Sequence, residues 1–112
     1  MSAVSYAEVT WPAGGTASKS ITLSGVTVCG FHIPAAFTGT SITFLVSDTG
    51  TDQGNFNTLT DDAGATISYT VSASKYARAK PADFAGVQCM KVVSGSSEAA
   101  NRVVKIAVRE IA

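Results

Sequence analysis

Charge is what this sequence most conspicuously lacks. Of 112 residues, eight are Lys or Arg and eight are Asp or Glu, 14% in all, where an ordinary soluble domain carries about a quarter. The two signs cancel to a formal net charge of zero. Nucleic-acid-binding domains carry a clustered basic excess; none is visible here, and nucleic acid is not expected as a partner. The cancellation also removes any electrostatic barrier to self-association. With so few charges the surface must be built from Ser, Thr, Ala and Gly, the kind of surface that a partner or further copies of the chain cover.

Catalytic signatures are scarce too. Histidine occurs once, at His32, with no carboxylate near it in sequence, so it is read as a structural hydrogen-bonding residue at a strand end. There is no GxSxG, no HExxH and no phosphate-cradling glycine loop. The adjacent Asp61 and Asp62 sit in a turn, where side chains diverge instead of flanking a bond as glycosidase carboxylates do. A protein that is not an enzyme and uses no cofactor is expected. The two cysteines, Cys29 and Cys89, lack metal-site spacing. They read as buried thiols acting as small hydrophobes, and a disulfide between them would need adjacent strands. The first residues lack the basic stretch and apolar core of a signal peptide. No apolar run approaches the ~20 residues that span a bilayer. Neither a metal nor a membrane is expected, and assembly in a reducing cytoplasm is.

What the chain does have is alternation. Segments 18–23, 26–33, 40–47, 56–60, 65–72, 87–93 and 102–110 read as strands, rich in β-branched and aromatic residues. Val26–Ile33 is apolar on most positions and reads as a central strand covered on both faces, with Gly30 marking a bulge or a close approach. In 102–110, Val104, Ile106 and Val108 share one face. Pro81 to Phe84, followed by Gly86, reads as one helical turn with Phe84 tucked beneath it. Residues 94–101, SGSSEAAN, read as a flexible loop. Seven to eight short strands with turns every 8–12 residues predict an all-β fold, an antiparallel β-sandwich of the jelly-roll or Greek-key type. Residues 1–17 read as an N-terminal arm or edge strand, an arm being a segment that would order on a neighbouring copy, and residues 18–112 as the single sandwich domain. A domain of this length buries roughly two-thirds of its unfolded surface and can fold without staples.

Several residues are candidates for contact. Trp11, before the Pro12–Gly15 break, is either a lid on the core or a contact aromatic. Acidic residues gather at Asp48, Asp52, Asp61 and Asp62, and basic ones at Lys75, Arg78 and Lys80. The acidic stretch from Asp48 to Asn55 lacks the carboxylate ladder of a calcium loop and reads as a solvated turn. The basic cluster has a plain reading as a solvated strand end. The sharper reading pairs the basic segment of one copy with the acidic loops of the next, head to tail.

The stretch LSGVTVCGFHIPAAFTGTSITF, Leu23 to Phe44, resembles a family of small tailed-bacteriophage virion proteins. The shared positions are Leu23, Gly25, Gly30, Ile33, Pro34, Ala35, Ala36, Phe37, Thr38, Ile42, Thr43 and Phe44. A second block places Pro81, Phe84, Gly86, Lys91, Ser94 and Gly95 in a similar pattern, and Arg102 opens the last strand. The likeness spans about residues 20–110. One departure is the long Asp48–Asn55 loop, where relatives have a tight Asp-Gly turn. The resemblance implies a structural protein of the virion, and a capsid decoration (cement) protein is the expected role. It also implies the major capsid protein as partner, and a homo-oligomer, with a trimer favoured. Trp11, Phe37 and the two charge clusters are the expected contacts. The alternative is a carbohydrate-binding module, or a tail or spike component touching a host glycan. A row of exposed aromatics on one face would favour that alternative, with Trp11, Phe37 and Tyr76 as its candidates.

Overall fold

The computed structural model describes residues 4–23, 25–47, 55–84 and 86–110. Their strands are β1 (Val4–Trp11), β2 (Ile21–Thr22), β3 (Val26–His32), β4 (Ser41–Ser47), β5 (Asn57–Thr58), β6 (Tyr69–Thr70), β7 (Tyr76–Arg78), β8 (Cys89–Ser94) and β9 (Arg102–Glu110). They form two antiparallel sheets, one ordered β1-β9-β3-β7 and the other β2-β8-β4-β5 with β6 also on β4. The long strands pair with partners distant in sequence, β1 with β9, β9 with β3 and β4 with β8. The protein is an antiparallel β-sandwich, as the alternation predicts.

The period of two puts one face of each sheet into the core. In β9, Val104, Ile106 and Val108 are buried while Val103, Lys105 and Arg109 are exposed. The centre of the core is aromatic. Phe44 meets Phe84 edge-on at 5.0 Å and stacks on Phe31 at 5.6 Å. Phe84 arrives there because Pro81–Phe84 is a single 3₁₀ turn, closed by the Val87 N–H on the Phe84 carbonyl at 3.0 Å and followed by Gly86 at φ 81°.

Three expectations need correcting. The strand at 26–33 is not covered on both faces: Val28 and Phe31 enter the core, while the opposite face is sheltered only by side chains from β1 and β7. Its pairing slips between Val28 and Gly30, a bulge at Cys29, which leaves Cys29 half-buried instead of buried. Cys89 is fully buried in the other sheet, and both thiols are free. Finally, 94–101 is not merely a flexible loop. Ser94 ends β8, and Glu98 is wholly enclosed.

Candidate functional site

Two features stand out, a buried carboxylate that ties loops together and an exposed sheet face that the tied fold presents. Glu98 has 0% of its surface exposed. Its carboxylate accepts the Thr38 N–H at 3.0 Å, the Thr38 hydroxyl at 2.8 Å, the Gly39 N–H at 3.2 Å and the Arg102 Nε–H at 3.2 Å. Burial pushes this carboxyl up, but the hydrogen bonds from Thr38, Arg102 and Gly39 outweigh it and hold it below its ordinary value. The main chain joins in: Gly14 donates to the Glu98 carbonyl at 2.6 Å, and the Glu98 N–H donates to Gly15 at 3.2 Å. The Asn101 side chain accepts the Ala13 N–H at 2.8 Å. One residue therefore fastens the loops at 12–16, 34–40 and 95–101.

Trp11 and Phe37 belong to this assembly and not to a contact surface. Trp11 is 0% exposed, donates its indole N–H to the Thr16 carbonyl at 2.9 Å, and meets Phe37 edge-on at 5.3 Å. Phe37 is buried as well. Trp11 is thus the lid, and neither ring is offered to a partner, because both are spent on holding the loops against the core.

The exposed feature lies on the outer face of the sheet β1-β9-β3-β7. Tyr6 from β1, His32 from β3 and Tyr76 from β7 form a row, with ring centroids 5.4 Å and 4.5 Å apart. His32 packs between the two tyrosine rings. The row exists because two small residues lie beneath it. Ala107 is paired with both Tyr6 and Gly30, and it is buried although it is on the outer face. A methyl group on Gly30 would overlap the Tyr76 phenol and come 2.8 Å from the Ala77 carbonyl oxygen. Glycine there permits the close approach the sequence suggested. Burial raises the Tyr76 phenol above its ordinary value, helped by Cys29 and Tyr6 nearby and opposed by Arg78. Tyr6 remains 56% exposed, Val4 50%, and Tyr76 and Val103 43% each. The sequence offers no signal for this cluster beyond the alternation itself, since Tyr6 and His32 meet only through the strand order.

The charged candidates fall elsewhere. Asp48 and Asp52 lie outside the described residues. Asp61 and Asp62 are exposed in a turn that Asp61 stabilises, its Oδ1 accepting the N–H groups of Ala63 at 2.9 Å and Ala65 at 3.0 Å. Both line an open hollow of about 480 Å³ together with Asp83. Asp83 accepts the Tyr69 hydroxyl, and Tyr69 in turn accepts the Lys80 N–H at 3.1 Å. Burial, then this bond, pushes the Tyr69 phenol up to about 12. Lys75, Arg78 and Lys80 are exposed, Arg78 opposite Gly30 on the outer face. The end of the basic segment and the acidic turn thus approach one another within one molecule through Asp83. Among the described residues no group of three or more His, Cys, Asp or Glu is placed to hold a metal ion, and no helix is long and apolar enough to cross a membrane.

Comparison with protein-family models, with curated proteins and with solved structures finds no match.

Proposed function

We propose that this chain is a non-enzymatic virion structural protein, a capsid decoration protein that stabilises a phage head by contacts with the major capsid protein and with copies of itself. The observation that carries the contact reading is the outer sheet face, where Val4, Tyr6, Tyr76 and Val103 are exposed together on a rigid sheet. Tyrosine and arginine are enriched where proteins touch, and Arg78 and Arg109 flank the aromatic row. The likeness of Leu23–Phe44 to virion proteins supplies the setting. Each contact is small, and repetition over a shell multiplies it. Electron microscopy of the virion tests the proposal. Units of 11.4 kDa on the outside of the head are expected, and their presence only on the tail, or nowhere, overturns it.

A second reading has a specific observation in its favour. Tyr6, His32 and Tyr76 do form a row on one exposed face, which suits a glycan-binding module. Against it, neighbouring ring planes are tilted by 55° and 52°, so the rings pack on one another and do not make one flat platform for a sugar. Binding to a glycan array that Tyr76→Ala abolishes would favour this second reading over the first.

A further inference from the structure

We infer that two copies of this chain join edge to edge through β1, antiparallel about a two-fold axis at Tyr6, so that two four-stranded sheets become one of eight strands. The inference rests on the sheet edge and not on the virion reading, and its two-fold pair replaces the trimer that the resemblance favours. β1 ends the strand order β1-β9-β3-β7. An edge strand carries main-chain N–H and C=O groups that point away from its one neighbour, and in an antiparallel ladder the residues alternate between the two sides. Thr10 fixes which residues face outward, because its carbonyl accepts the Lys19 N–H at 2.9 Å on the side away from β9. By alternation Glu8, Tyr6 and Val4 also face outward, while Ser5, Ala7, Val9 and Trp11 serve β9.

Among the described residues this edge is the longest and the least guarded. Natural sheets blunt their edges with short strands, lysine, proline or bulges. At the far side of the same sheet, β7 has three residues, contains Arg78 and is followed by Pro81. In the second sheet the end strands β2 and β5 have two residues each. β1 has eight residues, a single charge at Glu8, no lysine, no proline, and an unbroken register with β9 from Val4 to Trp11.

The occupant follows from the edge's own pattern. Lys19 closes it at Thr10, so among the described residues the open outward ones are Val4, Tyr6 and Glu8, with Tyr6 at the centre. A second β1 laid antiparallel sets Tyr6 against the partner's Tyr6 and Val4 against the partner's Glu8, giving about six main-chain hydrogen bonds. Charge selects this register. Glu8 then faces an apolar residue whose neighbour within its sheet is Arg109, so each carboxylate lies one strand from a guanidinium of the other copy. Centring the pair on Glu8 instead would oppose two carboxylates, which is destabilising. Tyr6, the most exposed of the large apolar side chains among the described residues, meets its own copy at the axis, with Val4 next to it on the diagonal.

Light scattering behind size-exclusion chromatography, followed by sedimentation over a range of concentrations, tests this. A species of twice 11.4 kDa is expected. Tyr6→Lys, which sets two cations at the axis, should weaken the dimer at least tenfold. Glu8→Pro should do the same by deleting an outward N–H while leaving the bonds to β9 in place. Circular dichroism checks that both variants stay folded. Val103→Lys, on the same face but one strand in from the edge, should leave the dimer intact. A monomer at every concentration, a trimer, or a dimer indifferent to Tyr6→Lys and Glu8→Pro overturns the inference. None of these results bears on whether the protein decorates a head, which microscopy decides separately.

Discussion

Replacing Glu98 by alanine removes the acceptor shared by the Thr38 N–H, the Thr38 hydroxyl, the Gly39 N–H and Arg102. The Gly39 N–H, in buried surroundings, would be left without an acceptor, while Thr38 and the partly exposed Arg102 could turn in part to water. Removing the acceptor of this half-buried, hydrogen-bonded ion pair should cost about 2–4 kcal/mol, below the roughly 3–5 kcal/mol of a fully buried pair. That is a large fraction of the roughly 5–15 kcal/mol that holds a domain folded. At about 4 °C per kcal/mol for a domain of this size, the melting temperature should fall by roughly 8–16 °C. Urea unfolding followed by the fluorescence of Trp11, the one tryptophan and fully buried, reads the loss directly.

Glu98→Gln separates charge from shape. One carboxylate oxygen becomes an NH₂ group. At one position it faces Arg102, at the other the Gly39 N–H. In either orientation a donor meets a donor, and about 1–3 kcal/mol should be lost. The pH dependence carries the sign. The Glu98 carboxyl is lower in the folded chain than its ordinary 4.5, so the unfolded chain takes up the proton first as the pH falls. Its contribution is present above pH 4.5 and disappears as the pH drops through the folded value. The wild type should lose stability over that acid range, and Glu98→Gln should lose less. A Glu98→Ala variant within 1 kcal/mol of wild type, or identical acid limbs for wild type and Glu98→Gln, would refute the account of Glu98 as the fastening of three loops.

Gly30→Ala should cost about 1–3 kcal/mol; Tyr76→Ala in the same chain should restore only part of it, because the Ala77 carbonyl still crowds the methyl at 2.8 Å. Alkaline difference absorbance should show one phenol, Tyr69, ionising near 12, and Asp83→Asn should bring that midpoint down by weakening the hold on the hydroxyl proton. A maleimide added to the native protein should label the half-buried Cys29 and spare Cys89 until the chain unfolds, with mass spectrometry of the digest reading each site.

The strands were legible where alternation was long. β9 has the bounds 102–110 that its pattern gives, and Val104, Ile106 and Val108 turn inward because a period of two leaves them no other face. The single turn at Pro81–Phe84 was legible from its punctuation, proline at the start and glycine after the end. Pattern served less well in 65–72, where only Tyr69–Thr70 pairs as strand although Ile67 and Val71 are buried. Burial and ladder pairing are separate demands, and alternation reports only the first. Glu98 was not legible. Set among Ser, Gly, Ala and Asn it looks like solvated loop, and the main-chain donors that hold it come from Thr38 and Gly39, about sixty positions away. Nothing in the spelling of a segment tells which distant N–H groups will converge on it.

The block IPAAFT gains a physical meaning from this. Ile33 is buried, and its N–H donates to the Lys75 carbonyl at 3.0 Å. The Pro34 carbonyl accepts the Phe37 N–H at 3.2 Å, which turns the chain back. Phe37 packs on Trp11, and Thr38 grips Glu98. Only Ala35 and Ala36 are left to solvent as exposed residues before Thr38. The block is thus a device for closing one end of the sandwich. Ile33, Phe37 and Thr38 are taken up by that closure, so what this chain touches has to be sought outside the block, on the sheet face where Val4, Tyr6 and Tyr76 are exposed.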